Sequence, residues 1–294
     1  MSSAQERWHD LCELVAAPDG LPTWEEAGHW TEDKLYFWKR YIDITTMAMS
    51  GQQGRQSFPG GLVYVDLFAG SGVCTQRGAT KKRFPGSALI AAYADPPFRK
   101  IIACEENPEY ADACKTRLLR SPAAERSVVL NGDCNALIGD VVAMIRERAL
   151  TLAFVDPKGL DIQFTTIQTL CTRARADIVI LLPDAYDILR NELQLYRENP
   201  ESKLDQFLGP DSDWRSKLDD LENPTGANKR QRFADIYKSQ LERLLGYTAF
   251  GEKVIRRAGR PLYRLVYASR HKLGLKFWNQ ALKEDAQGQP NLFD

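Results

Sequence analysis

The chain has 294 residues, of which 44% are hydrophobic and 27% are charged, and its 39 basic and 39 acidic residues give a net charge of zero. This composition is typical of a globular protein with one large domain, or one domain with a small appendage. A zero net charge excludes a general attraction to nucleic acid, so any such binding needs a local basic patch.

The composition also argues against three other features. No apolar run approaches the ~20 residues that span a bilayer, and the N-terminus lacks the apolar core of a signal peptide. The six cysteines are scattered, without a C-x-x-C pair, and the chain has three histidines. We therefore expect a cytoplasmic protein with reduced thiols, without a membrane segment, a disulfide framework or a structural metal site.

The first 55 residues predict an N-terminal helical extension to a main domain at 56–294. A short helix is predicted over 6–16, and a longer one over 31–50 with Thr31 as its N-cap. The apolar stripe of the longer helix consists of Leu35, Trp38, Ile42, Thr45 and Met49. We interpret this helix as a cover packed on a sheet, and a lid over a ligand is the alternative.

The chain is organised around a glycine-rich loop. Residues 62–65 are apolar without alternation, which predicts a central strand of a parallel sheet, and Asp66 ends that strand. The loop residues that we expect to bind a cofactor are Phe68, Ala69, Gly70, Ser71 and Gly72. A ligand at the carboxyl end of such a strand is the rule in open α/β sheets. The third glycine of a dinucleotide fingerprint is missing, and a glycine-rich turn in an unrelated α/β protein is the other alternative.

A basic run follows this loop. It contains Arg77, Lys81, Lys82 and Arg83. If the loop binds a ligand, these cations lie at the same edge and suit a phosphate-bearing substrate, although a solvated loop explains them equally well.

Three further strands end in acidic residues. The run 100–104 leads to Glu105 and Glu106, and an acid at this point is placed to accept both hydroxyls of a ribose. The run 127–130 leads to Asp133, which also fits the N-cap of the next helix. The run 151–155 ends in Asp156-Pro-Lys-Gly. A first-turn acid of the following helix is the alternative interpretation of Glu105 and Glu106.

The C-terminal third completes the predicted sheet. A strand at 176–182 precedes a helical stretch at 185–197, an irregular insertion at 199–226 and a helix at 229–245. Two β runs, 249–256 and 262–268, predict a terminal hairpin. The hairpin carries Arg256, Arg257 and Arg260 within a basic segment, which indicates a nucleic-acid or acidic-partner face, or outward-facing residues of a hairpin.

The pattern Asp-x-Phe-x-Gly-x-Gly at 66–72 resembles motif I of class I S-adenosylmethionine-dependent methyltransferases. Several segments carry a more specific resemblance: residues 65–72, 85–88, 131–133 and 154–159, and Tyr-Arg-Leu-Val-Tyr-Ala-Ser-Arg-His at 263–271 followed by Gly274 and Phe277-Trp278. Together they resemble the three-Cys-motif partner family (TcmP), which is bacterial and phage-associated. The first motif indicates only a methyltransferase, and the terminal stretch is specific to the family. The resemblance runs from about Trp30 to Trp278.

The resemblance implies a Rossmann-like α/β fold with a seven-stranded, mostly parallel sheet in the order 3-2-1-4-5-7-6. It implies S-adenosylmethionine as cofactor and a three-Cys-motif protein as a possible partner. The cofactor-binding residues would be Asp66, the loop residues 68–72, Glu105, Glu106, Asp133, Cys134, Asn135 and Asp156. The catalytic residues would be Asp156, Pro157 and Lys158.

The motif at Asp156 departs from that of base-modifying methyltransferases. Asp156 and the carbonyl of Pro157 would accept hydrogen bonds from the methyl acceptor, and Asp156 would act as a general base if burial raises its pKa. Lys158 and Gly159 replace a proline and the aromatic residue that stacks on a base, and Phe164 substitutes only if the loop folds back. Lys158 binds an anionic part of the substrate in one interpretation and neutralises Asp156 in another.

A second sequence resembles that motif but is predicted to lie at the wrong edge. Residues 95–98, Asp-Pro-Pro-Phe, precede the strand at 100–104 and so lie at the amino ends of the strands. We interpret them as an entry turn.

Three hypotheses follow. The first is a methyltransferase that acts on nucleic acid or a nucleic-acid-associated substrate. The second is a methyltransferase for a protein or a small molecule. The third is a module without catalysis that binds a nucleotide or a partner.

Overall fold

The computed structural model describes residues 3–52 and 58–284. The predicted boundary between residues 55 and 56 lies outside these ranges, so the division into extension and main domain stays a prediction. The strands are β1 (Trp24–Ala27), β2 (Leu62–Asp66), β3 (Val73–Gln76), β4 (Arg83–Pro85), β5 (Lys100–Glu105), β6 (Ser127–Asn131), β7 (Leu150–Val155), β8 (Arg175–Leu182), β9 (Ala249–Arg257) and β10 (Arg260–Ser269).

The helices cover both faces of the central sheet. They are α1 (Ala4–Ala16), α2 (His29–Met49), α3 (Ser87–Ala92), α4 (Pro108–Leu119), α5 (Cys134–Ala143), α6 (Phe164–Arg173), α7 (Leu189–Asn191), α8 (Lys203–Leu208), α9 (Trp214–Asp219), α10 (Gly226–Leu245) and α11 (Lys272–Ala281). Two π-helical turns, Asp184–Ile188 and Glu192–Tyr196, flank α7, and 3₁₀ turns lie at Ser50–Gln52 and Ala124–Arg126.

The central sheet has seven strands in the order β6-β5-β2-β7-β8-β10-β9. Its first five strands are parallel, and β10 is antiparallel to both β8 and β9. Numbered along the chain within this sheet, the order is 3-2-1-4-5-7-6. The Rossmann-like class I methyltransferase fold expected from the sequence is thereby confirmed.

Strand β2 is buried at every residue because the sheet is covered on both sides. Tyr64 belongs to one apolar cluster with α1, α2, α3 and α11, whereas Val63 and Val65 belong to a second cluster with α5, α6 and α10. Successive side chains of a strand point to opposite faces, so a strand between two helical layers needs apolar residues at every position.

Helix α2 begins earlier than predicted. Its N-cap is Gly28, which lacks a side chain to cap the helix, and Thr31 lies inside the helix as a buried residue. The prediction of Thr31 as N-cap was wrong, because the chain leaves β1 at Ala27 and enters the helix within two residues. Trp38 stacks on Phe154 of β7 with ring centroids 4.8 Å apart, which anchors the helix on the sheet.

A second sheet, of three strands, was not anticipated from the sequence. Its order is β1-β3-β4, with β1 parallel to β3 and β3 antiparallel to β4. Trp24 of β1 lies opposite Cys74 of β3, two residues after the glycine-rich loop. The N-terminal segment is therefore joined by backbone hydrogen bonds to the strand that leaves this loop.

Helix α11 was also not predicted, and it explains the aromatic pair near the C-terminus. Trp278 is 1% exposed and stacks on Tyr267 of β10, with centroids 5.3 Å apart and planes 9° from parallel. The Trp278 ring is thus part of the core that fixes α11 on the sheet.

Candidate functional site

A cavity of about 460 Å³ opens at the carboxyl ends of β2, β5, β6 and β7. The predicted site residues that line it are Phe68, Ala69, Gly70, Ser71, Gly72, Glu105, Glu106, Asp133, Cys134, Asp156 and Lys158. These residues come from distant parts of the chain, between Phe68 and Lys158, and meet because the carboxyl ends of parallel strands share one edge.

The glycine-rich loop adopts a backbone that requires its glycines. Gly70 has φ of +59° and Gly72 has φ of +82°, both in the left-handed region. After Gly72 the chain continues as strand β3, and α3 begins only at Ser87. The loop therefore does not lead directly into a helix.

Glu105 is held against this loop by two backbone groups. Its Oε2 accepts a hydrogen bond from the Gly70 N–H at 2.8 Å, and its Oε1 accepts one from the Asn107 N–H at 2.9 Å. Burial raises the pKa of the Glu105 carboxyl, and these two N–H groups oppose that effect. The half-buried carboxylate is thus fixed in orientation at the wall of the cavity.

Asp133 lies both at the start of α5 and at the cavity, the two positions that the sequence suggested for it. It is the N-cap of α5, where its Oδ1 accepts a hydrogen bond from the Asn135 N–H at 2.9 Å, and it lines the cavity. Asn135 itself does not line the cavity, because its amide donates to Asp133 Oδ1 and to the Asp161 carbonyl. Asn135 therefore orients Asp133.

Asp66 lies beneath the loop and does not line the cavity. It is completely buried, with Oδ2 accepting from the Tyr64 hydroxyl at 3.1 Å and Oδ1 from the Phe68 N–H at 3.2 Å. Desolvation raises the pKa of the Asp66 carboxyl to about 7, although hydrogen bonds lower it in part. Because both carboxylate oxygens of Asp66 face inward, they are not placed for the direct contact with a cofactor that we expected. Asp66 instead supports the loop backbone by accepting from the Phe68 N–H.

Asp156 is paired with a cation that the sequence did not single out. Lys34 of α2, whose side chain is 4% exposed, forms an ion pair through Nζ with Asp156 Oδ2. The same ammonium lies 5.4 Å from the centroid of the Tyr263 ring. The sequence offered one signal for this contact: Lys34 lies one helical turn before Trp38, in a helix that was predicted to pack on the sheet.

The N-terminal segment forms one wall of the cavity. Thr31 and Leu35 of α2 and Trp24 of β1 all line it. Helix α2 thus packs on the sheet through Trp38, and its first turns also line the cavity. Trp24 is an aromatic residue at the cavity that sequence reasoning missed, because its placement depends on the pairing of β1 with β3.

Arg117 links the N-terminal segment to the loop and was also missed. Its side chain is 5% exposed, and Nε and Nη2 donate to the Asp19 carboxylate at 2.7 and 2.9 Å. Nη1 donates to the Ser71 carbonyl at 2.6 Å and to the Pro22 carbonyl at 2.8 Å. These hydrogen bonds hold the pKa of the Asp19 carboxyl well below its usual range.

Of the two residues that follow Asp156 in its motif, one lines the cavity and the other does not. Pro157 is buried and does not line the cavity, whereas Lys158 is exposed and does, and its carbonyl accepts a hydrogen bond from the Tyr186 hydroxyl. Phe164 is 1% exposed and packs edge-on against Tyr237. The conditional role of Phe164 as a stacking partner is therefore wrong, since its ring belongs to the core.

The two basic segments lie on either side of the start of α2. In the loop after β3, Arg77, Lys81 and Lys82 are exposed, and Lys82 donates to Glu32 of α2 at 2.6 Å. At the tip of the β9–β10 hairpin, Arg256, Arg257 and Arg260 are exposed, and the Arg257 guanidinium lies 4.9 Å from the Trp30 ring centroid. The two segments thus share an edge near the cavity without lining it.

Arg83 differs from the other members of its predicted cluster. Its guanidinium donates to the Val15 carbonyl and to Asp19, both at 2.8 Å. Its side chain is 11% exposed. Arg83 therefore serves in packing β4 on the N-terminal segment, and the prediction that it faces a substrate is not supported by its placement.

Over residues 3–52 and 58–284, no group of three or more His, Cys, Asp or Glu side chains is arranged to hold a metal ion. Within the same ranges, no helix has the length and apolar character to cross a membrane. All six cysteines are free thiols and are buried.

The sequence matches no protein-family model and no curated protein, so the resemblance to the three-Cys-motif partner family stays a prediction. Solved structures that the fold resembles include protein LPL1258 from Legionella pneumophila, with 9% identity, coverage of 84% of this chain and 88% of that chain, and a TM-score of 0.48. The METTL16 methyltransferase domain has 12% identity, coverage of 92% and 81%, and a TM-score of 0.45. An O-methyltransferase from Bacillus cereus, in complex with S-adenosylhomocysteine, has 9% identity, coverage of 92% and 91%, and a TM-score of 0.44.

Proposed function

We propose that this protein is an S-adenosylmethionine-dependent methyltransferase. The observation that carries the proposal is the Glu105 carboxylate, which Gly70 N–H fixes beside the glycine-rich loop at the wall of the cavity. A fixed carboxylate at the end of the strand next to the loop suits the two hydroxyls of a ribose.

The exit from the loop favours this cofactor over a dinucleotide. A pyrophosphate is received by the N–H groups of a helix that starts directly at the loop. Here the chain leaves Gly72 as strand β3 and reaches α3 only after β4. The methionine part of S-adenosylmethionine carries no phosphate, so this cofactor fits such a loop better than a dinucleotide does.

The residues at the cavity fit the parts of this cofactor. The Glu105 carboxylate would bind the ribose, Glu106, Asp133 and Cys134 would surround the adenine, and Gly70 to Gly72 would contact the methionine part. When bound, the cofactor supplies an electrophilic methyl group on a sulfonium. Because methyl transfer is an in-line displacement, the chain contributes mainly by positioning the two reactants.

Asp156 is the residue that we propose to orient the methyl acceptor. Its Oδ2 is held by Lys34, which fixes the carboxylate at the cavity and balances its charge. An acceptor N–H or O–H would donate to this carboxylate, and the exposed Lys158 would contact an anionic group of the substrate. Pro157 would contribute through its backbone carbonyl alone.

We propose nucleic acid as the substrate class. Arg77, Lys81 and Lys82 on one side of α2, and Arg256, Arg257 and Arg260 on the other, would contact phosphates beside the cavity. A protein or small-molecule acceptor is the second candidate, and a three-Cys-motif protein is a possible partner in either case. The six buried free thiols are consistent with a reducing compartment such as the cytoplasm.

Calorimetric titration with S-adenosylmethionine tests the cofactor, with NADH as the control ligand. We expect micromolar binding of S-adenosylmethionine, no binding of NADH, and loss of binding in Glu105→Ala. A folded protein that binds neither ligand would contradict the proposal and favour a module without catalysis.

Transfer of a radiolabelled methyl group to RNA, DNA or lysate protein then identifies the acceptor. We expect incorporation into nucleic acid, and its loss in an Asp156→Ala variant that still binds the cofactor. Incorporation into protein or small molecules alone would replace the proposed substrate class by the second candidate.

A further inference from the structure

A groove of about 500 Å³ lies at the opposite edge of the central sheet from the cavity. It is formed by Arg146, Arg148 and Ala149 before β7, residues 171–175 from the end of α6 to the start of β8, Leu244 and Leu245 at the end of α10, and Arg270 after β10. We call it the arginine groove, because its lining contains Arg146, Arg148, Arg173, Arg175 and Arg270. Over the described ranges, no carboxylate and no lysine line it.

One arginine of the groove, Arg270, is anchored by hydrogen bonds to backbone carbonyls. Arg270 donates from Nε to the Leu245 carbonyl at 2.9 Å and from Nη2 to the Cys171 carbonyl at 2.7 Å. Its guanidinium also lies 4.7 Å from the centroid of the Tyr247 ring. These contacts join the ends of α10, α6 and β10, so the Arg270 guanidinium is fixed in orientation at the groove.

Helix termini account for only part of this arrangement. Cations near helix C-termini are favoured by the helix dipole, which explains Arg173 in the last turn of α6 and Arg270 beside the end of α10. Arg146 and Arg175 are exposed and lie outside these helices. Within the described ranges, neither of them forms an ion pair, so their concentration here needs another reason.

We propose that the arginine groove binds the phosphodiester backbone of a nucleic acid. Guanidinium groups match phosphate in a bidentate geometry and are less strongly hydrated than ammonium groups, which fits a groove with five arginines and no lysine. The chain as a whole is neutral, so this patch provides the local charge that binding to a polyanion requires.

The position of the groove determines the size of the ligand. Strand β7 starts beside the groove and ends one residue before Asp156, and its six residues give a separation on the order of 20 Å between the two sites. A single nucleotide cannot contact both. A ligand that occupies both sites is therefore a polymer that extends around the edge of the protein.

The test measures binding to fluorescently labelled oligonucleotides, as single strands and duplexes of RNA and of DNA, by anisotropy at several salt concentrations. We expect Arg173→Ala/Arg175→Ala to weaken binding about tenfold and to reduce the salt slope by about 1.4 to 1.8, the contribution of two lost phosphate contacts. The control, Lys115→Ala/Arg120→Ala, removes the same charge from exposed residues of α4 and its C-cap and should leave the affinity nearly unchanged.

A second variant keeps the test decisive if the alanine variant is unstable. Arg173→Lys/Arg175→Lys retains the charge and loses the bidentate geometry, so we expect weaker binding with an unchanged salt slope. Oligonucleotide binding that is equal in wild type and in both variants would overturn the proposal. Competition by polyglutamate at equal charge concentration, as strong as that by unlabelled oligonucleotide, would overturn it in favour of an acidic protein partner.

These outcomes are independent of the proposed catalysis. Oligonucleotide binding is measured without S-adenosylmethionine and without methyl transfer. If the groove proposal fails, the arginine variants will bind oligonucleotides like wild type while cofactor binding is intact. If the methyltransferase assignment fails, cofactor binding or methyl transfer will be absent while oligonucleotide binding is intact.

Discussion

The ammonium of Lys34 is paired with the carboxylate of Asp156, although 122 residues separate them in the chain. Both side chains are at most 10% exposed. The pair joins the N-terminal helix α2 to the end of β7, so the proposed acceptor-binding residue is held by a segment outside the central sheet.

Removal of either member of this pair should destabilise the protein. Breaking a buried ion pair leaves an uncompensated charge and costs about 3 kcal/mol or more, so we expect this loss in Lys34→Met and in Asp156→Asn. The double variant removes both charges, and its loss should be smaller than the sum of the single losses by about 1–3 kcal/mol. Chemical denaturation of the four proteins measures this coupling, and additive losses would contradict a direct interaction.

Glu105→Gln should weaken binding of S-adenosylmethionine by about 10- to 100-fold, because a hydrogen bond to a charged group contributes about 1.5–3 kcal/mol. The matched control is Glu109→Gln, which neutralises an exposed acid in the first turn of α4. Calorimetry should find the control indistinguishable from wild type. An equal loss in both variants would indicate a general charge effect rather than a contact by Glu105.

Arg117→Lys should affect the glycine-rich loop from outside the cavity. A lysine keeps the charge but cannot bond Asp19 and the Ser71 carbonyl together, so we expect a stability loss of about 2 kcal/mol and about tenfold weaker cofactor binding. Arg120→Lys, three residues further along at the exposed end of α4, is the control. If Arg117→Lys lowered stability with unchanged cofactor affinity, Arg117 would be structural only.

Asp66 should make stability depend on pH in an unusual direction. Its folded pKa of about 7 lies above the ordinary value of 3.8. The folded state therefore retains its proton more strongly, and this contribution is fully present below about pH 4 and is lost as pH rises to 7. The difference in stability between wild type and Asp66→Asn should change by at most about 1.4 kcal/mol per pH unit in this window.

Thermal or chemical unfolding between pH 4 and 8 measures this effect, with the exposed Asp112→Asn as control. Asp184 has a folded pKa of about 6, raised mainly by burial, and adds to the same trend in both proteins. A difference that is constant with pH would show that Asp66 titrates alike in the folded and unfolded chains.

The sequence by itself determined the features that arise from local patterns. The unalternating run of β2, the glycines after it and the acids at or after the ends of β5, β6 and β7 predicted the sheet and about half of the residues at the cavity, and the family resemblance implied the strand order. Such signals are local, because strand burial requires apolar residues at consecutive positions and a left-handed backbone favours glycine. The sequence did not predict that Asp66 faces inward, because this orientation depends on its hydrogen bond with the Tyr64 hydroxyl below the loop.

Only the tertiary structure decided the contacts between distant segments. Lys34 reaches Asp156, Arg117 reaches Ser71, and Trp24 reaches the cavity through the pairing of β1 with β3. The arginine groove likewise brings together residues from Arg146 to Arg270. These side chains have no distinctive spacing in the sequence, because their positions follow from how α1, α2, α6 and α10 pack around the sheet, and packing depends on the shape of all the buried surfaces together.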